Sequence, residues 1–366
     1  NNLGNGLRDR YARMGRAEDL DAAITSYREA LTNIPLDSPD RPIILSNLGA
    51  GLSSRYQRFG NSEDLDTAIT ICAEAISRSP DNSPTLPGTL NNLGNSLRDR
   101  YEIQGTKEDL DASIVAFEES VARTPVGSPD RAGRLSNLGA ALLARYMDTG
   151  NPATLDKAIE SHNEAIRYSQ DGSVNWASIF GNLGAGLIAR YDLTGNPEDL
   201  DAAVSAFEES VSHSTDTSTQ RATHLNNLGT VLHKRYKFTG ELADLSSALS
   251  RWKESVDLTP IDSPSRASIL SNLGLGLLDS YTDMGQVEHL DTAINTLEGA
   301  LACTPENSLD RASVLNNLGQ GLRDRYWRTS RPDDLNAAID AYEVAIATTP
   351  ADSPNRAGRL SNLGLA

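Results

Sequence analysis

Several things are scarce in this sequence, and each scarcity closes off a class of function. Only two cysteines occur in 366 residues, Cys72 and Cys303, far apart in the chain. That argues against a disulfide framework and fits a reducing, cytoplasmic setting. No stretch of 18 apolar residues is present, so no membrane-spanning helix is expected. No signal peptide is evident either, and the first residue is not Met, so the natural N-terminus is expected to lie upstream. Basic residues are outnumbered, 33 Lys and Arg against 50 Asp and Glu, for a net charge of −17. Nucleic-acid binding depends on cations displacing counterions, and anionic membranes attract the same cations, so neither is an expected partner. The excess acid reads instead as a solvated outer face that keeps a long molecule in solution. The sequon Asn-x-Ser/Thr does not occur.

What the sequence has in abundance is Asn-Leu-Gly. The triplet begins at Asn2, Asn47, Asn92, Asn137, Asn182, Asn227, Asn272, Asn317 and Asn362, every interval 45 residues long. Eight full repeats and the opening of a ninth follow. A strict period of this length marks an array in which each unit buries its apolar face only against its neighbours. It overrules the two or three globular domains that the length would suggest. The expectation is one all-α solenoid over 1–366.

Residues 38–80 show the anatomy of one unit. Ser38-Pro39-Asp40 reads as a helix start, with Ser38 as N-cap and Pro39 at the first helical position. The Ser-Pro pair returns at Ser83, Ser128, Ser263 and Ser353. Leu45, Leu48, Leu52 and Tyr56 follow at steps of three and four, one apolar face of a helix. Gly60 closes it, with Gly15, Gly105, Gly150, Gly195, Gly240 and Gly285 at the same phase. This helix, A, is about 20 residues and about 30 Å long. Helix B opens at Asn61 and its equivalents, most clearly at Asn151-Pro152 and Asn196-Pro197. It carries Leu65, Ala68, Ile69, Cys72, Ala75 and Ile76 on one face and stops at Pro80. Gly49 sits inside helix A, where glycine costs about 1 kcal/mol relative to alanine. Its return in every unit implies a close helix–helix approach that a Cβ would block.

HEAT and armadillo units have similar lengths, but the spacing resembles another family. Leu48-Gly49, Ala68, Cys72, Ala75 and Pro80, with Tyr27, Phe117, Phe207, Trp252 and Tyr342 at the phase of Cys72, resemble the tetratricopeptide repeat. Helix B matches that pattern without a gap. Against a 34-residue unit, seven residues are added between Gly49 and Ala68 and four between Pro80 and Leu90, which together reach 45. The seven extend helix A by two turns through Arg55-Tyr56. The four lengthen the entry through Asp37-Ser38-Pro39. The chain thus resembles a long-helix variant of the family, similar to arrays that accompany CHAT protease and NTPase signalling domains. The resemblance implies a right-handed superhelix with helix A on its concave face. It equally implies a protein or peptide partner, or a sensor array that regulates an attached effector.

By that resemblance the inward positions are those of Ser46, Asn47, Ala50, Ser53 and Ser54. The amides of Asn2, Asn47, Asn92, Asn137, Asn182, Asn227, Asn272 and Asn317 would form a ladder, each able to donate and accept toward a peptide backbone. The alternative is that they bond to the neighbouring helix and hold the repeats in register. The phases of Ser53 and Ser54 vary: Arg8-Asp9, Arg98-Asp99, Leu143-Ala144, Ile188-Ala189, His233-Lys234, Leu278-Asp279, Arg323-Asp324. They suggest a groove with charged ends and an apolar middle at Leu143 and Ile188, or drift on a solvated face. The arginines at 10, 55, 100, 145, 190, 235 and 325, interrupted by Ser280, read as structural partners of a neighbouring acid. The junction from Ser169 to Trp176 lacks both prolines and reads as a repacked joint, a flexible one, or an anchor built on Trp176.

No enzyme is expected. His162, His213, His224, His233 and His289 have no metal-ligand spacing, and no Cys–His pair can be argued. Gly49-Ala50-Gly51, Gly274-Leu275-Gly276 and Gly319-Gln320-Gly321 look like dinucleotide loops, but they lie inside helix A and follow no strand. No cofactor or metal is therefore expected. A peptide-binding scaffold is the leading expectation. Head-to-tail self-association is the second, because residues 361–366 stand at the phase of residues 1–6 and neither end carries a polar capping helix.

Overall fold

The computed structural model describes residues 1–169, 175–215, 219–306, 308 and 310–366. Most of the Ser169–Trp176 junction lies outside the described residues. Seventeen helices and no strand occur among those described. By their contacts the helices fall into two compact units, residues 1–193 and 194–366. The first holds the hairpins α1 (Asn2–Met14) with α2 (Ala17–Asn33), α3 (Arg41–Phe59) with α4 (Ser62–Arg78), α5 (Leu86–Gln104) with α6 (Lys107–Ala122) and α7 (Arg131–Thr149) with α8 (Pro152–Tyr168), then α9 (Trp176–Thr194). The second begins with α10 (Pro197–Ser212). It continues with α11 (Thr219–Thr239) and α12 (Leu242–Leu258), α13 (Arg266–Met284) and α14 (Glu288–Cys303), α15 (Asp310–Thr329) and α16 (Pro332–Ala347), then α17 (Asn355–Gly364). Each unit is a stack of all-α hairpins, with consecutive helices packed on one another from α1 to α8 and from α10 to α17.

The helix ends follow the local chemistry. Glycines 15, 60, 105, 150, 195, 240 and 285 all adopt φ between +66° and +78°, the left-handed state that closes helix A. In the eighth repeat Ser330 takes that position at φ +56°. Asn61, Asn151 and Asn196 cap helix B by accepting from the amides of Glu63, Ala153 and Glu198. One expectation needs correction, since Ser38 is not the N-cap. Helix α3 starts at Arg41, and Ser38 joins two successive turns: its N–H donates to Pro35 and its carbonyl accepts from Arg41. Its hydroxyl accepts from the Asp40 amide at 3.3 Å. The four added residues are thus a double turn that Pro39 favours.

The core explains the glycine inside helix A. A Cβ on Gly49 would stand 2.5 Å from Cys72 Sγ, and one on Gly94 would stand 2.7 Å from the Phe117 ring. The same clash recurs 23 residues downstream of each such glycine, against Tyr27, His162, Trp252, Leu297 and Tyr342. The second glycine of the Gly-x-Gly runs has another role. Gly51, Gly186 and Gly321 face Ile24, Ile159 and Ile294 on helix B of the preceding repeat. The first glycine therefore sets the approach within a hairpin, the second the approach between hairpins. Burial raises the Cys72 thiol to about 12, which removes it as a nucleophile.

Arginine fixes one hairpin to the next. Arg55 Nε and Nη2 grip Asp64 of its own helix B at 2.7 and 2.5 Å, while Nη1 reaches Asp21 of the preceding repeat at 3.1 Å. Arg100, Arg235 and Arg325 repeat the three-point clamp. Hydrogen bonds to Asp64 and Asp21 raise the Arg55 guanidinium above its usual value. At Ser280 all three members change together. The acids at the matching phases become His289 and Ser246, and Ser280 Oγ meets His289 Nδ1 at 2.8 Å. On the helix A side of that same interface, Asp279 of α13 takes up His233 and Lys237 of α11 at 2.6 and 2.7 Å.

Candidate functional site

In the first unit, the A helices bring their amides and hydroxyls to one cleft of about 670 Å³. On α3 the face is Ile43, Asn47, Ala50 and Ser54, spaced four, three and four, with Ser46 beside it. Asn92 and Asn91 of α5, and Asn137 and Arg134 of α7, continue it, and Arg8 of α1 closes one end. Asn47, Ala50, Ser46 and Ser54 were legible as inward positions, whereas Ile43, Asn91 and Arg134 were not singled out. The signal for them was available, since they stand one to four residues before the Asn phase on the same helical face.

The amides divide into two kinds. Asn47 Nδ2 donates to Asn1 Oδ1 at 3.0 Å, and Asn137 Nδ2 donates to Asn91 Oδ1 at 3.0 Å. In the second unit Asn272 and Asn362 donate in the same way to Asn226 and Asn316. These side chains hold neighbouring repeats in register, and their own carboxamide oxygens accept no hydrogen bond among the described residues. Asn92 makes no side-chain hydrogen bond among the described residues and lines the cleft between Asn47 and Asn137. Arg134 donates to Asp130 at 3.0 Å and to the Thr124 hydroxyl, and burial lowers its guanidinium below the usual value. Apart from Arg8 and the Arg134–Asp130 pair, the lining is uncharged and largely polar, able to meet the N–H and C=O groups of an extended chain.

The other expected residues scatter. Asn2 and Asp9 are exposed on α1, and Asn182 and Ile188 are half-buried on α9. Arg98 and Asp99 do not enter the cleft. Asp99 is buried between α3 and α5, accepts from Gln57 Nε2 at 3.2 Å, and is raised above the usual carboxylate range by that burial. Leu143 packs on the core of Leu138 and Leu142 rather than flooring the cleft. His233 is spent on Asp279, and Lys234 is half-buried beside it on α11, as is Asn227. Of the phases of Ser53 and Ser54 in the first unit, Arg8 and Ser54 line the cleft, whereas Asp99 and Leu143 turn toward neighbouring helices. Asn317 lies in a smaller cleft of about 350 Å³ with Asn316, Arg359 and Asn362. Arg323 and Asp324 pair at 3.0 Å in a cleft of about 700 Å³. There Arg323 lies over the ring of exposed Trp327, a residue that sequence reasoning missed.

Among the described residues no cluster of three His, Cys, Asp or Glu side chains could hold a metal ion. No helix is long and apolar enough to cross a membrane. His162 and His224 are buried with neither ring nitrogen hydrogen-bonded, and desolvation lowers both, His162 to about 4.

The sequence model described as tetratricopeptide repeat matches residues 221–264. No curated protein matches the chain. Among solved structures, the Cut9–Hcn1 hetero-tetramer of the APC/C is 14% identical at a TM-score of 0.52, over 94% of this chain and 59% of that one. The C-terminal part of a TPR repeat-containing protein from Cytophaga hutchinsonii is 13% identical at a TM-score of 0.50, over 86% and 99%. PilF of Pseudomonas aeruginosa is 14% identical at a TM-score of 0.50, over 75% and 97%. At these identities the likeness is one of fold.

Proposed function

We propose that this chain, whose fold is that of tetratricopeptide-repeat proteins, is an interaction scaffold whose cleft on α1, α3, α5 and α7 holds an extended segment of a protein partner. The observation that carries the reading is the cleft's lining: Asn92, whose carboxamide makes no hydrogen bond among the described residues, between Asn47 and Asn137, whose oxygens accept none, with Arg8 at one end. Main-chain groups of an extended peptide need alternating donors and acceptors, and carboxamides supply both. Arg8 makes no ion pair among the described residues and suits a carboxylate at one end of the ligand.

Random peptides displayed on phage and selected on the intact chain provide the test. A selected peptide should lose roughly tenfold in affinity on Asn92→Leu and on Arg8→Ala. Both variants should leave the thermal melt unchanged. Selection that enriches nothing, or peptides indifferent to both substitutions, would rule out the cleft.

A further inference from the structure

Seven added residues lengthen each A helix, and the lengthened ends carry an unexpected cargo. Among the described residues of the first unit, nine large apolar side chains are exposed. Five of them, Met14, Phe59, Ile103, Met147 and Leu193, fall within the last three residues of α1, α3, α5, α7 and α9. They are between 46% and 65% exposed. Single exposed apolar residues are ordinary, but one per repeat at the same helix end is a pattern, and a row of them is the mark of an interface. The helices α3, α5 and α7 pack side by side, α1 joins them along the cleft, and α9 meets α7 through Ile179 and Leu135, so their ends form one edge of the unit.

The charges along that edge change sign about its middle. Met14 is flanked by Arg13 and Arg16, and Phe59 by Arg58. Met147 is flanked by Asp148, and Leu193 by Asp192. Arg13 and Arg58 form no ion pair among the described residues. Asp148 meets Lys107 through Oδ2 at 2.9 Å. Glu102, beside the central Ile103, is drawn to Arg98 of its own helix at 3.7 Å.

We infer that this edge is the interface of a two-fold dimer, in which a second copy of the chain lies antiparallel along the A-helix ends of residues 1–193. A two-fold contact requires that if residue i meets j, then j meets i. An axis through Ile103 pairs Met14 with Leu193 and Phe59 with Met147. It also sets Arg13 and Arg58 against the Asp192 and Asp148 of the other copy. A different protein would impose no such sign reversal on the edge. The inference is independent of the peptide cleft, which lies on another face of the same helices.

Sedimentation equilibrium of the intact chain over a wide concentration range tests it. The expected result is a monomer–dimer equilibrium whose dissociation constant rises roughly tenfold or more on Ile103→Asp. Arg58→Asp should weaken the dimer, and Asp148→Arg in the same chain should restore it. In a Cys303→Ser background, Ile103→Cys should oxidise to a covalent dimer. Met14→Cys should do so only together with Leu193→Cys. All these positions are at the surface, so circular dichroism should show unchanged helix content. A chain that stays monomeric throughout overturns the inference. So does a dimer indifferent to Ile103→Asp, or growth into open-ended polymers.

Discussion

A residue's neighbours decide what its substitution costs, and Gly49 shows this most simply. Adding a methyl group there gains about 1 kcal/mol of helix propensity, yet drives a Cβ to 2.5 Å from Cys72 Sγ. Gly49→Ala should destabilise the fold by about 1–3 kcal/mol in urea melts. In a Cys72→Ala background the nearest remaining atoms stand at 3.5 Å or beyond, and the cost should disappear; a penalty that persists would place the strain elsewhere. Ser330 is the reverse case, a side chain in the left-handed position that glycine holds in seven other repeats. Ser330→Gly should raise stability by about 1 kcal/mol. His162 occupies the socket under Gly139 with no hydrogen bond to either nitrogen. Its folded-state value, lowered to about 4 from 6.5, means that the unfolded chain binds the proton first as pH falls. The stability due to neutral burial is complete above pH 6.5. It should decline by about 3 kcal/mol as pH drops from 6.5 to 4, and His162→Phe should flatten that part of the pH profile.

Elements were largely legible because their signals are local. Gly60 at a helix end, Asn61 and Asn151 as caps and the three–four spacing of Leu45, Leu48 and Leu52 all act within one or two turns. The misreading of Ser38 was also local, because a serine before a proline serves a turn as well as a cap. The clamps were legible only by half. The arginine phase pointed to an acid, but the second acid lies 34 residues back, on another hairpin, where only packing brings it near. The phases of Arg98, Leu143 and His233 misled for the same reason: periodicity gives the face of a helix but not which neighbour covers it. Arg100→Met strands the buried carboxylate of Asp109 and should cost about 2–3 kcal/mol. Ser280→Arg alone should gain nothing, since its acids are missing. Together with His289→Asp and Ser246→Asp it should rebuild the clamp and raise the melting temperature.

At the scale of the whole molecule, the strict period makes the array a set of exchangeable parts. Excision of residues 48–92 removes one period and rejoins Asn47 to Leu93 in phase. Because each interface involves only adjacent repeats, the shortened chain should keep its helix content per residue, whereas a cut a few residues shorter should not. Circular dichroism distinguishes the two. The glycine sockets add a consequence of their own. One backbone geometry is occupied in turn by tyrosine, cysteine, phenylalanine, histidine, tryptophan and leucine, so the hairpins are mechanically alike yet optically distinct. Trp252 is fully buried in the hairpin of α11 and α12 while Trp327 is exposed on α15, so loss of the blue edge of the emission reports that the α11–α12 stretch of the array has opened, without any label being attached.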